Sequence, residues 1–251
     1  MAFIEKAAYE KTGHYTVPGV FTAAEMDAAI EDIGRWGEEF LRELPAAQRR
    51  WYLDSGASAG ADPSKAREVL RKLDNPHHHR ASIRGLASDP RLVSLVEGVI
   101  GRGVSVYFSQ IFFKAPEGGG PKPPHQDNFY FGPRDPQALI TAWVAFDDAT
   151  VDNGCMFFGE GTQLRPLIAH VAPANEPFNL QIPSESATFA MTPAPVPKGG
   201  VSFHHGGVLH QSGPNHSQRW RRACALHYVR NDNAFVSPAL PYDAAMFLKV
   251  T

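Results

Sequence analysis

The sequence predicts a mainly β fold, a double-sheet jelly roll or barrel with helices packed on it, and three observations support this prediction. Helical hydrophobic spacing marks two segments within the first 103 residues. Beyond Gly101, short β-rich runs are separated by clusters of Pro, Gly, Asn and Asp. The length of 251 residues is enough for one well-buried core. We therefore expect a single domain, with residues 1–103 as a helical and loop cover, 104–230 as the β core and 231–251 as a C-terminal extension.

The best-marked helix of the cover is predicted at residues 22–44. Thr22 and Glu25 can form a capping box at its start, because each side chain can accept a hydrogen bond from the other residue's backbone. One apolar face is predicted by residues that recur at helical spacing: Met26, Ile30, Ile33, Phe40 and Leu41. This helix should therefore pack on another element.

A second helix is predicted after Asp89, which can cap it, while Pro90 suits its first turn and Gly101 can end it. Residues 45–84 lie between the two helices and have poor periodicity. We expect a loop-rich cover there, with one short helix around residues 64–73.

Seven short runs rich in β-forming residues are expected to supply the strands of the core. Turn-forming residues separate them, as in a jelly roll. The runs are residues 104–114, 139–147, 155–158, 167–171, 187–191, 200–205 and 222–229.

The composition argues against several classes of partner. The chain has 24 Lys and Arg against 26 Asp and Glu and no strongly basic stretch, so we expect no nucleic-acid partner. The N-terminus lacks the apolar region of a signal peptide, and no apolar run approaches membrane-spanning length. We therefore expect a cytoplasmic protein without a membrane partner. Cys155 and Cys224 lack the spacing of a metal or redox site and are expected to be reduced structural thiols.

A metal site is indicated by the segment His125-Gln126-Asp127. Residues i and i+2 of an extended segment project to the same side, so His125 and Asp127 can address one point in space. One imidazole and one carboxylate are two of the three ligands of the facial triad that binds iron(II) and leaves positions open for O₂ and substrates. The pair alone is weak evidence, because it occurs by chance in many proteins.

The third ligand could come from either of two histidine-rich segments. Residues 199–215 are predicted to form a strand, a tight glycine turn and the start of another strand. They carry His204, His205 and His210. The other source is the cluster His77, His78 and His79, which could also be a surface loop.

The local sequence favours His210, because Ser212 and Arg221 follow it. A guanidinium can bind a carboxylate through two hydrogen bonds, and a serine hydroxyl can add another, which suits the distal carboxylate of 2-oxoglutarate. His204 and His205 are then expected to be packed or to support the ligands.

Three further polar residues near these motifs have structural interpretations. His216 is expected in a solvated loop, and His227 is expected to be a hydrogen-bonded core histidine. Arg222 alternates to the opposite side from Arg221 and is expected to form a structural ion pair.

These motifs resemble the phytanoyl-CoA dioxygenase family, which includes ectoine hydroxylase and many bacterial natural-product oxygenases. The resemblance covers the chain from about Tyr9 to the C-terminus. It rests on His125-Gln-Asp127, on Ala142-Trp143-Val-Ala-Phe-Asp-Asp148 with Asn153-Gly154, on His210-Gln-Ser212-Gly-Pro-Asn215, and on Arg221-Arg222-Ala223 with His227-Tyr228. Family members usually have Gly-Ser-His after the Asn-Gly turn, whereas this chain has Gly161-Thr162-Gln163, outside the predicted ligands.

The resemblance implies a double-stranded β-helix and a specific set of site residues. The implied iron(II) ligands are His125, Asp127 and His210. The implied candidates for the 2-oxoglutarate pocket are Arg221 and Ser212, followed by Trp143, which could also be core, and Gln110.

The reaction that the resemblance implies consumes O₂ and 2-oxoglutarate and releases CO₂ and succinate. A C–H bond of a small molecule is oxidised, usually to a hydroxyl group, although desaturation, cyclisation or epimerisation could also result. Related halogenases have glycine or alanine at the position of Asp127, which vacates a metal site for chloride. The carboxylate here disfavours halogenation.

The substrate itself is not readable from the sequence. We expect a small metabolite, with natural-product biosynthesis favoured. The candidate lining residues are Asn128, Phe129, Tyr130, Phe203 and His205, although aromatic residues on strands are also ordinary core material.

Two other functional classes are weighed against the oxygenase. One is a non-catalytic or differently metallated β-barrel protein that binds a small molecule. The other is a zinc hydrolase, which the absence of an H-E-x-x-H motif disfavours. The intact ligand set together with Arg221 favours the oxygenase. The oligomeric state is left open.

Overall fold

Two antiparallel sheets and a layer of helices form the framework of the protein. The computed structural model describes residues 3–49, 51–54, 66–174, 179–183, 185–186, 188–239 and 242–251. The α-helices in these ranges are α1 (Lys6–Thr12), α2 (Ala23–Glu43), α3 (Ala46–Arg49), α4 (Ala66–Val69), α5 (Pro76–His79), α6 (Ala81–Ala87), α7 (Pro90–Ile100) and α8 (Asp127–Phe131). None of these helices combines the length and the hydropathy needed to cross a lipid bilayer.

The strands belong to a larger and a smaller sheet. They are β1 (His14–Val17), β2 (Lys72–Asp74), β3 (Val104–Lys114), β4 (Lys122–His125), β5 (Leu139–Ala145), β6 (Met156–Gly159), β7 (Thr192–Ala194), β8 (Val201–His205), β9 (Leu209–Ser212), β10 (Arg221–Arg230) and β11 (Leu248–Lys249). The larger sheet has the order β1-β8-β5-β10-β3-β11, with β2 also paired to β3. The smaller sheet has the order β4-β9-β6-β7.

The chain passes back and forth between the two sheets. Strands β3, β5, β8 and β10 lie in the larger sheet, and β4, β6, β7 and β9 lie in the smaller one. This alternation produces the jelly roll known as a double-stranded β-helix. The predicted fold class, a β core with N-terminal helices packed on it, is confirmed.

The two faces of the larger sheet have different roles. Along β10, Cys224, Leu226 and Tyr228 belong to the main apolar core, whereas Ala225 and His227 line a cavity on the other face. The helices complete that core through buried residues of α2, α6 and α7, which include Met26, Ile33, Ile83, Leu92 and Val96. The main core therefore lies under the helices, and the inner face of the sheet is directed toward the cavity.

Both predicted long helices are confirmed with their predicted ends. Thr22 and Glu25 form the capping box of α2. The Asp89 side chain accepts from the backbone N–H of Arg91 at the start of α7, and this helix ends before Gly101, whose φ is +96°. Satisfying these otherwise unpaired N–H groups fixes where each helix begins.

Three local predictions are wrong. Of the helix expected at residues 64–73, the described part is helical only at Ala66–Val69, because Lys72–Asp74 instead pair with β3 as strand β2. Residues 167–171 form only one described bridge, from Val171 to Gln181, and the backbone N–H of Ile168 donates to the Gln126 side chain, not to a neighbouring strand. In the run 187–191, residue 187 lies outside the described residues and 188–191 are not a strand.

Strands from outside the predicted β core also join the larger sheet. β1, from the cover, pairs with β8, and β11, from the C-terminal extension, pairs with β3. They have four and two residues, too few for an alternating pattern to be read from the sequence. The division into cover, core and extension stays a prediction, although all three segments contribute to this sheet.

A glycine allows two distant segments to meet between the sheets. The backbone N–H of Asn128 donates to the carbonyl oxygen of Gly206 at 2.8 Å. A Cβ added at Gly206 would lie 2.1 Å from Oδ1 of Asn128, far inside van der Waals contact. Glycine at position 206 therefore lets the segment after β4 and the turn before β9 approach this closely without displacing the Asn128 side chain.

We expect Gly206→Ala to lower the free energy of unfolding by about 1–3 kcal/mol, because the new methyl group overpacks this contact. Urea denaturation measures the change. Gly98→Ala is the control, since a Cβ there meets no heavy atom within 4 Å. That control should be neutral or slightly stabilising in a helix. Equal unfolding midpoints for the two variants would contradict the close contact.

Candidate metal centre and its cavity

His125 and His210 face each other across two neighbouring strands. Strands β4 and β9 are antiparallel, and their register pairs these two residues directly. The imidazole centroids are 4.1 Å apart. The register of the smaller sheet therefore brings together two histidines that are distant in the sequence.

Both imidazoles present the same nitrogen to the space between them. Nδ1 of His125 lies 2.8 Å from the carbonyl oxygen of Pro123, and Nδ1 of His210 lies 3.1 Å from that of Val208. Because a carbonyl oxygen only accepts, each Nδ1 carries the proton. Each Nε2 then has a free lone pair, the state in which histidine binds a metal.

Asp127 supplies an oxygen atom between these nitrogens. Gln126 before it is extended, with φ −129° and ψ 124°, so residues 125 and 127 project to one side although α8 starts at Asp127. Oδ1 of Asp127 lies 3.9 Å from Nε2 of His125 and 3.7 Å from Nε2 of His210. The three ligand atoms lie within 4.8 Å of one another. Two nitrogens and one carboxylate oxygen fit the facial triad of non-haem iron(II).

The second oxygen of Asp127 is held by the larger sheet. The hydroxyl of Thr141 donates to Oδ2 at 2.7 Å. Nδ1 of His227 lies 2.8 Å from the same hydroxyl and must donate to it, since the hydroxyl proton is already used. Nε2 of His204 lies 3.3 Å from Oδ2. These contacts orient the carboxylate and leave Oδ1 for a cation.

Burial and mutual charge set the protonation states of the ligand candidates. Burial lowers the pKa of His210 to about 4 and that of His125 well below its usual value. Burial opposes ionisation of Asp127, but His210 and His204 outweigh it and hold the carboxyl pKa well below its ordinary value. At neutral pH the set is therefore two neutral imidazoles and a carboxylate, ready to bind a cation without losing protons.

The three ligand candidates open onto a cavity of about 690 Å³ between the sheets. This volume is typical of a site for a small molecule. At one end the wall contains Lys114, Trp143, Ser212 and Arg221, and at the other it is rich in aromatic residues. Tyr242 and Met246 of the C-terminal extension contribute to the wall, a role that the sequence did not predict.

Arg221 is a buried cation on the cavity wall. Only 2% of the residue is exposed, and within the described ranges its Nε has no hydrogen-bond partner. Burial lowers its pKa to about 9, so the guanidinium is still charged at neutral pH. The neighbouring Arg222 points to the opposite face and forms a bidentate pair with Asp147, at 2.7 and 2.9 Å. A buried charge without a carboxylate partner requires an anion, and the cavity is where one can enter.

Ser212, Trp143 and Gln110, the other three candidates for the cosubstrate pocket, also line the cavity. Ser212 lies two residues beyond His210 on β9 and therefore shares its face. The guanidinium carbon of Arg221 lies 5.4 Å from the ring centroid of Trp143. The side-chain amide of Gln110 donates to the carboxylate of Asp74 at 2.7 Å. One of its polar groups is therefore already hydrogen-bonded to β2 of the N-terminal cover.

Only one of the five substrate-site candidates lines the cavity. Tyr130 is part of its wall. Phe203 faces the main core, because alternation on β8 places it opposite His204, and His205 lines a separate small pocket. Asn128 packs against Gly206, and Phe129 stacks on His170 with centroids 4.1 Å apart. We therefore withdraw these four from the predicted substrate site.

The cluster His77, His78 and His79 lies outside the cavity wall. Its residues end α5, and His77 is fully buried, not part of a surface loop. Nε2 of His77 donates to the carbonyl oxygen of Met246 at 2.6 Å, and its Nδ1 bonds the Ser109 hydroxyl. His77 therefore links β3 to the C-terminal extension.

The sequence analysis did not assign Thr141 or Lys114 and gave His227 only a structural role, although all three line the cavity. Thr141 is two residues from Trp143, and His227 is an even number of residues from Arg221, so strand alternation could have placed both on the cavity face. Lys114 is four residues from Gln110 on β3, so the same alternation could have placed it on this face, and the register between β3 and β10 sets it opposite Arg221. Its Nζ donates to the carbonyl oxygen of Gly213 at 2.6 Å.

Comparison with known proteins agrees with this geometry. The family model for phytanoyl-CoA dioxygenase (PhyH) matches residues 9–223. Phytanoyl-CoA dioxygenase domain-containing protein 1 of Mus musculus is 30% identical over 167 residues, 64% of this chain and 57% of the mouse protein. A probable alpha-ketoglutarate-dependent hypophosphite dioxygenase of Stutzerimonas stutzeri is 29% identical over 233 residues, 91% of this chain and 78% of that protein.

The fold is also shared with a solved structure. The crystal structure of SnoN, a non-heme alpha ketoglutarate dependent epimerase from nogalamycin biosynthesis, matches with a TM-score of 0.69 at 22% identity. The match covers 96% of this chain and 86% of that chain. Since the family model spans most of the sequence, the chain belongs to the phytanoyl-CoA dioxygenase family of iron- and 2-oxoglutarate-dependent oxygenases.

Proposed function

We propose that this protein uses iron(II), 2-oxoglutarate and O₂ to oxidise a C–H bond of a small metabolite. The observation that carries the proposal is the meeting of His125, Asp127, His210 and Arg221 on the wall of one cavity, where Nε of Arg221 has no hydrogen-bond partner among the described residues. Iron(II) bound by the first three would supply the centre where O₂ is activated while 2-oxoglutarate is decarboxylated to succinate. The side chains of this protein would bind the iron and 2-oxoglutarate, orient them and balance their charges.

The cosubstrate is proposed to bind with its distal carboxylate on Arg221. The guanidinium offers paired donors, and the Ser212 hydroxyl on the same wall can add a hydrogen bond. Trp143 lies beside the guanidinium and limits where it can move. Burial lowers the pKa of Lys114, at the same end of the cavity, to about 6, so its side chain is largely uncharged at neutral pH. The anion is therefore fixed mainly by Arg221.

Hydroxylation is the outcome we propose for the reaction. Asp127 occupies the position that related halogenases leave open, and Thr141 and His204 hold its carboxylate in place. The similarity to SnoN, an epimerase by its name, indicates that this fold also accommodates epimerisation. A role in natural-product biosynthesis, a cytoplasmic location and the absence of a nucleic-acid or membrane partner stay predictions.

The non-catalytic alternative has no observation in its favour. A binding protein that had lost turnover would not need an unpaired buried guanidinium next to a metal-binding set, because that charge costs folding free energy. A zinc hydrolase would not need an anion site for a keto-diacid.

Succinate formation tests the proposed activity directly. Purified protein with iron(II) and isotope-labelled 2-oxoglutarate should release labelled succinate, and the release should require O₂. The Asp127→Ala variant should lose oxidation of any substrate that the wild type accepts. Absence of succinate from the wild type under all iron and substrate conditions would contradict the oxygenase.

Substitution of His210 should abolish metal binding, whereas substitution of the nearby His205 should not. We expect His210→Ala to lose stoichiometric iron(II) binding, because it removes one of three ligands. His205→Ala should retain it, because His205 faces a separate pocket. Elemental analysis after anaerobic loading measures both. Loss of metal from the His205 variant with retention in the His210 variant would mean that the third ligand is misassigned.

Removal of Arg221 should weaken cosubstrate binding selectively. We expect Arg221→Met to raise the half-saturating concentration of 2-oxoglutarate by at least about 30-fold, since losing one partner of a buried charge pair costs roughly 2–5 kcal/mol. Arg222→Met is the matched control: it breaks the pair with Asp147 and lowers stability, but its half-saturating concentration should stay within about threefold of wild type. Equal effects of the two substitutions would remove Arg221 from the pocket.

A further inference from the structure

Strand β3 contains an extra residue where it passes the metal ligand candidates. The register of β10 with β3 pairs His227 with Phe108 but Tyr228 with Val106, so no residue of β10 is opposite Tyr107. This is a β-bulge, which interrupts the alternation of side chains between the two faces. As a result Tyr107 and Phe108, although adjacent, both line the cavity.

The ring of Tyr107 packs among four aromatic neighbours. It packs edge-on against Phe131 with centroids 4.8 Å apart and lies 4.6 Å from the ring of Phe235. Tyr242 and Phe247, from the C-terminal extension, lie 5.9 and 6.1 Å away. The position of the hydroxyl group is therefore fixed by packing before any ligand binds.

The hydroxyl of Tyr107 has no hydrogen-bond partner within the described part of the chain, although the residue is only 1% exposed. Buried tyrosine hydroxyls ordinarily have a partner, because leaving one unpaired costs folding free energy. On the other face of the same sheet, Tyr228 follows this rule and donates to the carbonyl oxygen of Ala87 at 2.7 Å. The missing partner of Tyr107 therefore points to a ligand in the cavity.

Tyr107 also lies close to the metal ligand candidates. Its ring centroid is 6.2 Å from that of His227, whose Nδ1 lies 3.6 Å from Oδ2 of Asp127. A second wall residue, Asn75, has an Oδ1 atom that likewise lacks a partner among the described residues. Asn75 is adjacent to β3, since its backbone N–H donates to Ser109 at 2.8 Å.

We propose that Tyr107 is a substrate-binding residue and that the substrate presents a hydroxyl group to it. A hydroxyl suits this wall because it can accept from Tyr107 and also donate to an acceptor such as Asn75 Oδ1. Phe108, Phe131 and Tyr242 provide flat apolar surface for a ring-sized body next to that group. The inference rests on the proposed function, since this ligand would be the molecule oxidised at the metal.

A pair of probes that differ only in a hydroxyl group tests the proposal. Phenol and toluene have nearly the same shape, and both can be titrated by NMR into protein loaded with nickel(II) and 2-oxoglutarate. Wild type should bind phenol about tenfold more tightly, because toluene leaves the Tyr107 hydroxyl unpaired. In Tyr107→Phe this preference should fall to within about twofold. An unchanged preference in the variant, or no binding of either probe to wild type, would overturn the proposal.

Thermal unfolding of the ligand-free protein separates a binding role from a structural one. Tyr107→Phe should leave the Tm unchanged or raise it by about 2 °C, because it removes an unpaired buried group. Tyr228→Phe is the matched control and should lower the Tm by about 2–6 °C, because it leaves the carbonyl oxygen of Ala87 unpaired. An equal decrease for both variants would show that the Tyr107 hydroxyl serves stability.

The two experiments are independent of catalytic turnover. If wild-type protein forms no succinate, the oxygenase proposal fails, whereas the nickel-loaded titration still reports on Tyr107. If succinate forms and the probe preference survives in Tyr107→Phe, only the substrate-binding role fails.

Discussion

The pairing of β4 with β9 is the constraint on which the candidate site depends. Their register sets His125 opposite His210, and the extended Gln126 then turns Asp127 toward the same point. Hydrogen bonds from each Nδ1 to a backbone carbonyl orient both imidazoles without using another side chain. The smaller sheet thus places the two imidazoles, and the start of α8 places the carboxylate, at the candidate metal site. A shift of one residue in this register would turn one imidazole to the opposite face.

The larger sheet supports this arrangement because its two faces are chemically distinct. Its outer face is apolar and packs under the helices, where it forms the largest of the buried hydrophobic clusters. Its inner face carries Thr141, His204 and His227 toward Asp127 and Arg221 toward the far end of the cavity. These buried polar groups oppose folding, so the stability supplied by the outer face is what allows the inner face to stay polar.

Much of the fold could be predicted because its signals are local. Capping residues fixed the ends of α2 and α7, and turn-forming residues separated most strands of the core. The ligand pair followed from i, i+2 geometry, and the opposite roles of Arg221 and Arg222 followed from strand alternation.

Other features of the fold and the site depend on tertiary pairing, which the sequence does not show locally. Strand alternation predicts that Phe203 and His204 face opposite sides of the sheet, but not which of them faces the cavity. The expected positions of Phe203 and His205 in the substrate site are therefore wrong. The bulge at Tyr107 and the short strands β1 and β11 are defined only by their partners across the sheet.

The central claim is that one metal ion and one keto-diacid bind together on this inner surface. A crystal structure of protein grown without oxygen in the presence of iron(II) and 2-oxoglutarate tests it most directly. We expect iron bonded to Nε2 of His125, Nε2 of His210 and Oδ1 of Asp127, with the distal carboxylate of 2-oxoglutarate on Arg221. Iron bound without His210, or a carboxylate seated away from the Arg221 guanidinium, would contradict the claim.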